Sequence, residues 1–216
     1  MTHHKNIFKR ILIITGAVLL AVYLSLSWVP VFNGIDISHH NKVNWKKVEA
    51  NDAFKFCYIK ATEGESFRDH MCSTHARNAR KHGLEVGLYH YFRTDVPADK
   101  QFENFKSIYD KVPSNLIPAI DVEQQGNNYS NVKLVNERLK TLIRLFEQEY
   151  GCRPVIYLGG SCCLKVLHTV YECPIWLRMF KIYHLVPNTA IKQTCIEGGL
   201  DMNYCKDLNK IRLKQP

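Results

Sequence analysis

The chain has 216 residues, with 29 Lys and Arg against 20 Asp and Glu, which gives a formal net charge of +9. Hydrophobic residues make up 46% and charged residues 23% of the chain, close to the averages for folded globular proteins. This composition excludes a disordered tail, a collagen-like repeat and a polytopic membrane protein.

The first predicted element is an apolar segment close to the N-terminus. Three basic residues precede residues 11–31, a stretch that contains no charged side chain. About twenty apolar residues match the hydrocarbon thickness of a bilayer, and basic residues on the N-terminal flank favour retention of that end in the cytoplasm. We therefore expect residues 1–32 to form a cytoplasmic stub and a single transmembrane anchor in the cytoplasmic membrane. Residues 33–216 would form one domain that faces the periplasm or the cell exterior.

A cleavable signal sequence is the alternative interpretation of this segment. Its apolar region would end near Leu24, and Ser25 and Ser27 would be the small residues before the cleavage site, so that the protein would be secreted. In both cases the folded part is exported, and its excess of basic residues favours an anionic cell wall or membrane surface over nucleic acid as the partner. The charges are scattered along the chain, so an ordinary solvated surface explains them equally well.

Export also changes the interpretation of the cysteines. An oxidising compartment permits disulfides, but their pairing cannot be deduced from the sequence alone. Cys195 and Cys205 flank the last strand-like segment and are the best candidates for a bridge. The chain has eight cysteines, at positions 57, 72, 152, 162, 163, 173, 195 and 205.

Beyond residue 31, short apolar runs typical of β-strands alternate with longer segments typical of helices. Strands are predicted at 31–37, 54–60, 84–92, 115–123, 153–158, 174–180 and, more weakly, 190–196 and 199–203. Helices are predicted at 69–82, 98–111, 131–150 and 161–171, the third of them capped by Ser130 and ended by Gly151. This alternation predicts an α/β protein whose parallel sheet closes into a TIM-like (β/α) barrel, irregular and with fewer than eight helices. An open doubly wound sheet is the alternative.

Polar side chains occur near the ends of these predicted strands. In a parallel barrel the carboxyl ends of the strands converge on one face, and active sites form there. The residues expected to meet on that face are Asp36, Lys60, Tyr89, His90, Asp121, Glu123, Tyr157, Trp176 and Asp201.

Asp121 and Glu123 are the most informative pair. Residues two apart on a strand point to the same side, roughly 6.6 Å apart along the chain, and two close carboxyl groups after an apolar run acquire different pKa values. One can then hold a proton for the leaving oxygen of a glycosidic bond while the other carries the negative charge near the oxocarbenium centre. A strand that ends in a solvated loop shows the same pattern, but convergence with Asp36 and Asp201 favours the catalytic interpretation. The stereochemical outcome stays open, because the spacing lies between the retaining and inverting values.

Other chemistries find less support in the sequence. His39 and His40 are adjacent and project in different directions, and no spacing typical of a histidine metal site occurs, so neither a metal nor another cofactor is expected. The string Gly159-Gly160-Ser161 lacks the following glycine of a nucleophile elbow, and no glycine-rich phosphate loop follows a strand.

Seven ordered motifs resemble glycoside hydrolase family 25, the lysozymes of the Chalaropsis type. The resemblance covers nearly all of residues 33–205 and implies a bacterial hydrolase of peptidoglycan. It would act as a monomer on glycan strands and cleave the β-1,4 bond between N-acetylmuramic acid and N-acetylglucosamine. The motifs are GIDISHHN (34–41), FCYIKATEG (56–64), GLEVGLYHYFR (83–93), IPAIDVE (117–123), RPVIY (153–157), IWLRMF (175–180) and GGLDMNYC (198–205).

The resemblance also implies roles for individual residues. Glu123 would be the general acid, and Asp121 would stabilise the charged intermediate or orient the 2-acetamido group of the sugar for internal attack. Asp36 and Asp201 would complete an acidic cluster around the scissile bond. The residues implied to line the sugar site are Lys60, Tyr89, His90, Tyr157 and Trp176.

The chain departs from the family pattern mainly in its C-terminal strands. Lys192 precedes Gln193 where members usually carry an aromatic residue, and His75 stands where an Asn is usual. After the Trp of the sixth strand, the usual pattern of a small residue, Arg and Tyr is replaced by Arg178, Met179 and Phe180. Because all four carboxyl groups are kept, we expect the chemistry to be intact. The alternative is a membrane-tethered peptidoglycan-binding module with lost or weak activity.

Overall fold

The computed structural model describes residues 31–178 and 186–214. The predicted transmembrane or signal segment lies outside these residues, apart from its last position. Within the described part of the chain, no helix is both long and apolar enough to cross a membrane.

The described residues contain nine strands, all in one mixed sheet. Eight of them overlap the eight predicted strands, and the short third strand is additional. The first and fourth predicted strands begin three and four residues too early, the second ends three residues too early, and positions 179–180 of the sixth lie outside the described residues. The strands are β1 (Gly34–Ile37), β2 (Phe56–Glu63), β3 (Phe67–Arg68), β4 (Glu85–Tyr91), β5 (Ala119–Glu123), β6 (Val155–Gly159), β7 (Ile175–Arg178), β8 (Thr189–Glu197) and β9 (Leu200–Tyr204).

Eight of these strands close into a barrel, which confirms the predicted architecture. The order in the sheet is β1-β9-β8-β7-β6-β5-β4-β2-β3, and pairing between β1 and β2 completes the barrel. Neighbouring strands are parallel from β1 through β2, β4, β5, β6 and β7 to β8. The open doubly wound alternative is therefore wrong.

The expectation of a fully parallel sheet is wrong for the last strand. β9 runs antiparallel to both β8 and β1. Gly198 and Gly199 connect β8 to β9 with φ values of 59° and 80°, and two successive residues with positive φ form the tight turn that joins antiparallel strands. The final connection is thus a hairpin rather than a helical crossover.

Five α-helices of the described residues connect the strands. They are α1 (Trp45–Glu49), α2 (Cys72–Lys81), α3 (Ala98–Tyr109), α4 (Val132–Tyr150) and α5 (Cys163–Val170). The last four agree with the predicted helices, whereas the five-residue α1 was not predicted. The side chain that caps α4 is Asn131, which accepts from Leu134 N, and not Ser130; Gly151 ends the helix in the left-handed conformation, as predicted.

The alternation of side chains along each strand divides the core into two layers. Residues such as Ile35, Ile59 and Leu88 point outward and pack with the helices. Tyr58 and Trp176 point inward and fill the barrel with other large side chains. The inner layer forms a floor, and the polar residues at the strand ends lie above it.

The predicted bridge between Cys195 and Cys205 is wrong. All eight cysteines lie in the described part of the chain, and all are free thiols. Cys195 is paired in register with Met202 on β9, whereas Cys205 follows the opposite end of that strand and its backbone N–H donates to Asn33 Oδ1. The hairpin register therefore keeps the two sulfur atoms apart.

Candidate active site

A cleft of about 460 Å³ opens at the carboxyl ends of the parallel strands. Each of the eight barrel strands contributes at least one side chain to its lining. The location is the one at which (β/α) barrels place their active sites.

Four carboxyl groups from three strands meet in this cleft. Asp121 and Glu123 project from β5, and Asp36 and Asp201 face each other in the register of β1 and β9. Because β9 is antiparallel, Asp201 near its start lies at the same end of the barrel as the C-terminal residues of the other strands. A parallel β9 would have placed this carboxyl group at the opposite end.

Asp36 is held by two amide side chains. Its Oδ2 accepts a 2.7 Å hydrogen bond from Asn203 Nδ2 and a 3.3 Å hydrogen bond from Gln193 Nε2. Burial and the neighbouring charge of Asp201 raise the pKa of Asp36 to about 7, although both hydrogen bonds favour its ionised form. Asp36 can therefore exchange a proton near neutral pH.

Asp121 is the most deeply placed of the four carboxyl groups. Its Oδ1 is buried without a hydrogen-bond partner among the described residues. Burial, followed by the charges of Glu123 and Asp36, raises the pKa of Asp121 well above its usual range. A buried carboxyl group without a donor keeps its proton more readily than a solvated one.

Glu123 lies at the end of β5, where two side chains fix its backbone. Asn127 Nδ2 and the Tyr129 hydroxyl donate to its carbonyl oxygen at 3.1 and 3.0 Å. Burial raises the pKa of the Glu123 carboxyl group, and the positive charge of Arg178 opposes this rise. The side chain is half-buried and borders the open cleft.

Gly159 leaves the space that the Glu123 carboxyl group occupies. The two residues are partners in the β5–β6 register. A Cβ atom on residue 159 would lie 3.1 Å from Glu123 Oε1 and 2.9 Å from Tyr157 Cε1. Glycine is thus required here for close approach, and not for an unusual backbone conformation.

Aromatic side chains form the floor of the cleft. The rings of Tyr157 and Trp176 meet edge to face, with centroids 5.0 Å apart and an angle of 79°. Trp176 Nε1 donates to Asn203 Oδ1 at 2.8 Å, and the Tyr157 hydroxyl donates to Gln193 Oε1 at 3.0 Å. The floor therefore orients the two amides that hold Asp36.

Basic and acidic side chains line one wall of the cleft. Lys60 Nζ lies 2.6 Å from Glu63 Oε2, and Arg93 Nη1 lies 3.4 Å from Glu63 Oε1. A register shift in β2 between Lys60 and Thr62 changes the alternation and brings Glu63 to the same wall. Lys60 Nζ also lies 4.7 Å from the centroid of the Tyr91 ring, within the range of a cation–π contact.

The sequence profile of the glycosyl hydrolases family 25 matches residues 35–193, which include most of the barrel and its cleft. The chain belongs to this family. Family 25 membership accounts for the acidic residues at the strand ends and for the barrel that brings them together.

Two curated relatives illustrate the similarity at the level of sequence. The protein YegX of Escherichia coli O157:H7 is 31% identical over 145 residues, which cover 65% of this chain and 52% of that protein. Lysozyme M1 of Streptomyces globisporus is 30% identical over 137 residues, which cover 59% of this chain and 46% of that protein. The chain spans about half the length of these curated relatives.

Solved structures show the same fold. A family 25 glycosyl hydrolase from Bacillus anthracis is 27% identical and superposes with a TM-score of 0.72, covering 81% of this chain and 88% of that one. A muramidase from Trichobolus zukalii is 23% identical, with a TM-score of 0.68 and coverage of 81% and 93%. The second comparison concerns the fold alone.

The structure brings eight of the nine predicted site residues of this family 25 domain to the cleft and leaves His90 outside it. His90 lies on the opposite face of β4, where it is fully buried, with Nδ1 2.7 Å from Thr62 Oγ1 and Nε2 3.0 Å from Gln101 Oε1. Its neighbour Tyr89 points inward, so strand alternation requires His90 to point outward. The eight residues in the cleft are Asp36, Lys60, Tyr89, Asp121, Glu123, Tyr157, Trp176 and Asp201.

Sequence reasoning missed several polar residues of the cleft. Arg178 lies two residues after Trp176 on β7, so the alternation of that strand could have identified it. Gln193 lies two residues after the inward-pointing Ile191 on β8, a strand for which no site residue was predicted. Glu63 could not have been found in this way, because the irregularity in β2 changes the alternation just before it. His39, considered as a metal ligand, instead pairs with Asp69 through Nδ1 at 2.8 Å.

Proposed function

We propose that the protein is a muramidase that hydrolyses the β-1,4 bond between N-acetylmuramic acid and N-acetylglucosamine in peptidoglycan, with Glu123 as the general acid. One observation carries this proposal: Glu123 borders an open cleft beside Asp121, and burial raises the pKa of both carboxyl groups. A glycosidase needs one carboxyl group that keeps its proton for the leaving oxygen and a second that becomes the negative partner.

The proton shared by this pair favours Asp121 before the substrate binds, because burial affects Asp121 more strongly and Arg178 stabilises the ionised form of Glu123. A substrate N–H or O–H group that donates to Asp121 stabilises its carboxylate and lowers its pKa. The shared proton then moves from Asp121 to Glu123, which gives Glu123 the protonated form that a general acid requires. The ionised Asp121 either stabilises the positive charge at the anomeric carbon or orients the 2-acetamido group for internal attack.

Asp36 and Asp201 support this chemistry from β1 and β9. Their carboxyl groups, when ionised, add negative potential around the developing oxocarbenium ion. Because the pKa of Asp36 is about 7, this carboxyl group can release its proton as the positive charge develops. Lys60, Tyr89 and Tyr157 would contact the hydroxyl and acetamido groups of the sugars, while Trp176 supports them from the floor.

The proposed substrate also suggests where the protein acts. Peptidoglycan lies outside the cytoplasmic membrane, and the uncharged segment at 11–31 supports export of the barrel as a membrane-anchored or secreted domain.

Digestion of purified peptidoglycan by the full-length protein tests the proposal. We expect release of reducing ends that mass spectrometry identifies as N-acetylmuramic acid, and we expect Glu123→Gln to reduce the rate by a factor on the order of 10² to 10⁴ while the protein stays folded. Glu103→Gln, which alters an exposed glutamate on α3, is the matched control and should keep full activity. Undiminished activity of Glu123→Gln would contradict the proposal, and binding without turnover by the unmodified protein would favour a glycan-binding module.

A further inference from the structure

Three basic side chains line the cleft, and Arg178 differs from the other two in its partners. Lys60 and Arg93 both pair with Glu63, at 2.6 and 3.4 Å. Arg178 is exposed in the cleft and forms no ion pair with any carboxylate within the described part of the chain. Its side-chain hydrogen bond is to the Tyr157 hydroxyl, and because a guanidinium group has five N–H donors, others are available for a ligand.

The register of three strands places Arg178 in line with Glu123. Glu123 pairs with Gly159 between β5 and β6, and Gly159 pairs with Arg178 between β6 and β7. Neighbouring strands are about 4.8 Å apart, so the Cα atoms of Glu123 and Arg178 are separated by about 10 Å. Gly159 contributes no side chain to the gap between the carboxyl and guanidinium groups, and the Tyr157 side chain, which contacts both groups, borders this gap. This gap, the Gly159 slot, adjoins the proposed proton donor.

The charge distribution makes the Gly159 slot the part of the cleft that best accepts an anion. The cleft is lined by the carboxyl groups of Asp36, Glu63, Asp121, Glu123 and Asp201. Those of the five that are ionised repel a negatively charged substituent over most of the cleft. Arg178 acts in the opposite direction, since its positive charge lowers the pKa of both Glu123 and Asp201 against the effect of burial.

We propose that Arg178 is a specificity residue that binds a carboxylate on the muramic acid substituent next to the scissile bond. The inference rests on the proposed function for the identity of the substrate. The planar guanidinium group can donate two parallel hydrogen bonds to a carboxylate, which a lysine cannot reproduce. Two sources carry this chemistry: the lactyl carboxylate, which is free on glycan strands without peptide, and the carboxylates of the stem peptide on intact strands.

Equilibrium binding of defined fragments tests the inference without turnover. The full-length protein with Glu123→Gln is titrated by calorimetry with peptide-free glycan fragments whose lactyl carboxyl group is either free or converted to its methylamide. Peptide-bearing fragments, with free or amidated stem carboxyl groups, form the second pair. We expect the carboxylate form of at least one pair to bind about tenfold more tightly than its amide form, as one charge-assisted hydrogen-bond pair predicts. The pair that shows this preference identifies the source.

Variants at position 178 and salt provide the controls. Arg178→Met should remove the preference, Arg178→Lys should keep only part of it, and a thermal unfolding curve shows whether each variant is folded. For the protein that retains Arg178, the preference should decline as the salt concentration rises. Equal affinities for the acid and amide forms in both pairs would overturn the inference. A preference for the carboxylate form without any turnover by the unmodified protein would refute the proposed muramidase function instead. Turnover without this preference would refute only the role of Arg178.

Discussion

Asn203 donates a 2.7 Å hydrogen bond from its side-chain amide to Oδ2 of Asp36. The orientation of this amide is fixed, because Asn203 Oδ1 accepts a 2.8 Å hydrogen bond from Trp176 Nε1. Asn203 is fully buried, so solvent does not replace either contact. A tryptophan in the floor of the cleft thus controls the electrostatic environment of a carboxyl group at its edge.

Loss of this amide should raise the pKa of Asp36. The hydrogen bond from Asn203 favours the ionised carboxylate, so Asn203→Ala should raise the pKa of Asp36 above its value of about 7, by about one pH unit. NMR titration of the Asp36 carboxyl carbon measures this change directly. Asn209→Ala, on the exposed 3₁₀ turn, is the control and should leave the titration unchanged. An unaltered Asp36 titration in Asn203→Ala would show that the amide does not act on this carboxyl group.

Substitution of Gly159 should impair catalysis more than stability. Gly159→Ala places a methyl group 3.1 Å from Glu123 Oε1, and the carboxyl group must move away from its position in the cleft. We expect kcat on peptidoglycan to fall by one to two orders of magnitude, since small displacements of reacting groups have effects of this size.

Gly87→Ala is the matched comparison for Gly159→Ala. Gly87 is another inward-facing strand glycine, but a Cβ there would lie 2.3 Å from Tyr58 Cε1, in the packed interior of the barrel. This variant should lose stability through overpacking, by about 1–3 kcal/mol, with kcat preserved in the molecules that remain folded. Equal losses of kcat in the two folded variants would argue against a specific contact between residue 159 and Glu123.

The alternation of polar and apolar residues explains how much of this site the sequence could predict. Asp36, Asp121 and Glu123 follow apolar runs, and their convergence follows from parallel strands in a barrel. The same alternation, applied residue by residue, separates Tyr89 from His90, which the family-like motif had grouped together. The inward position of Tyr89 excludes His90 from the cleft and places it against α3.

Other features of the fold and the site could not be predicted from the two-residue alternation of side chains along a strand. The antiparallel direction of β9 follows from Gly198 and Gly199, a two-glycine signal for a hairpin that lies between two weakly predicted strands. The position of Glu63 follows from the register shift after Lys60, which pairing with β4 reveals and the sequence does not. The amide network around Asp36 joins residues more than 150 positions apart, so no local pattern predicts it.

The stability of the protein should depend on pH through Asp36. The folded state keeps the Asp36 proton up to a pH of about 7, whereas an unfolded chain releases it near 3.8. Between these values the folded state binds more protons than the unfolded state, so the free energy of unfolding falls as the pH rises through this window. The full difference corresponds to about 4 kcal/mol at about 1.4 kcal/mol per pH unit, and it is an upper bound because the carboxyl group is only half-buried.

Asp36→Asn should reduce this dependence. The substituted amide can still accept the hydrogen bonds from Asn203 and Gln193, but it has no proton to release. Urea unfolding at several pH values from 4 to 8 should show a shallower fall for the variant, which should be more stable than the unmodified protein above pH 7. Asp121 keeps its own contribution in the same direction, while the lowered pKa of buried His90, about 4, acts in the opposite direction in both proteins. Asp99→Asn, on the exposed face of α3, is the control, and its free energy of unfolding should change with pH as that of the unmodified protein does. The same pH dependence in Asp36→Asn would show that Asp36 does not cause the fall in stability.

Asp69 should be the most important carboxylate for stability outside the cleft. It is 5% exposed and accepts three hydrogen bonds: from His39 N at 2.9 Å, from His39 Nδ1 at 2.8 Å and from Met71 N at 2.9 Å. These contacts join the loop after β1 to the start of α2. Asp69→Ala leaves the partly buried backbone N–H groups of His39 and Met71 without an acceptor, and we expect a loss of about 2–4 kcal/mol in the free energy of unfolding.

The control for Asp69→Ala is Asp95→Ala. Asp95 is 70% exposed in its side chain and lies 3.5 Å from Arg93, so its removal should change the free energy of unfolding by less than about 1 kcal/mol. Because His40 follows His39 and lines the cleft, the remaining folded Asp69→Ala protein should also bind glycan fragments more weakly. Similar losses of stability in both variants would show that the three hydrogen bonds to Asp69 do not hold the loop after β1, since an exposed ion pair would then contribute as much as a buried acceptor.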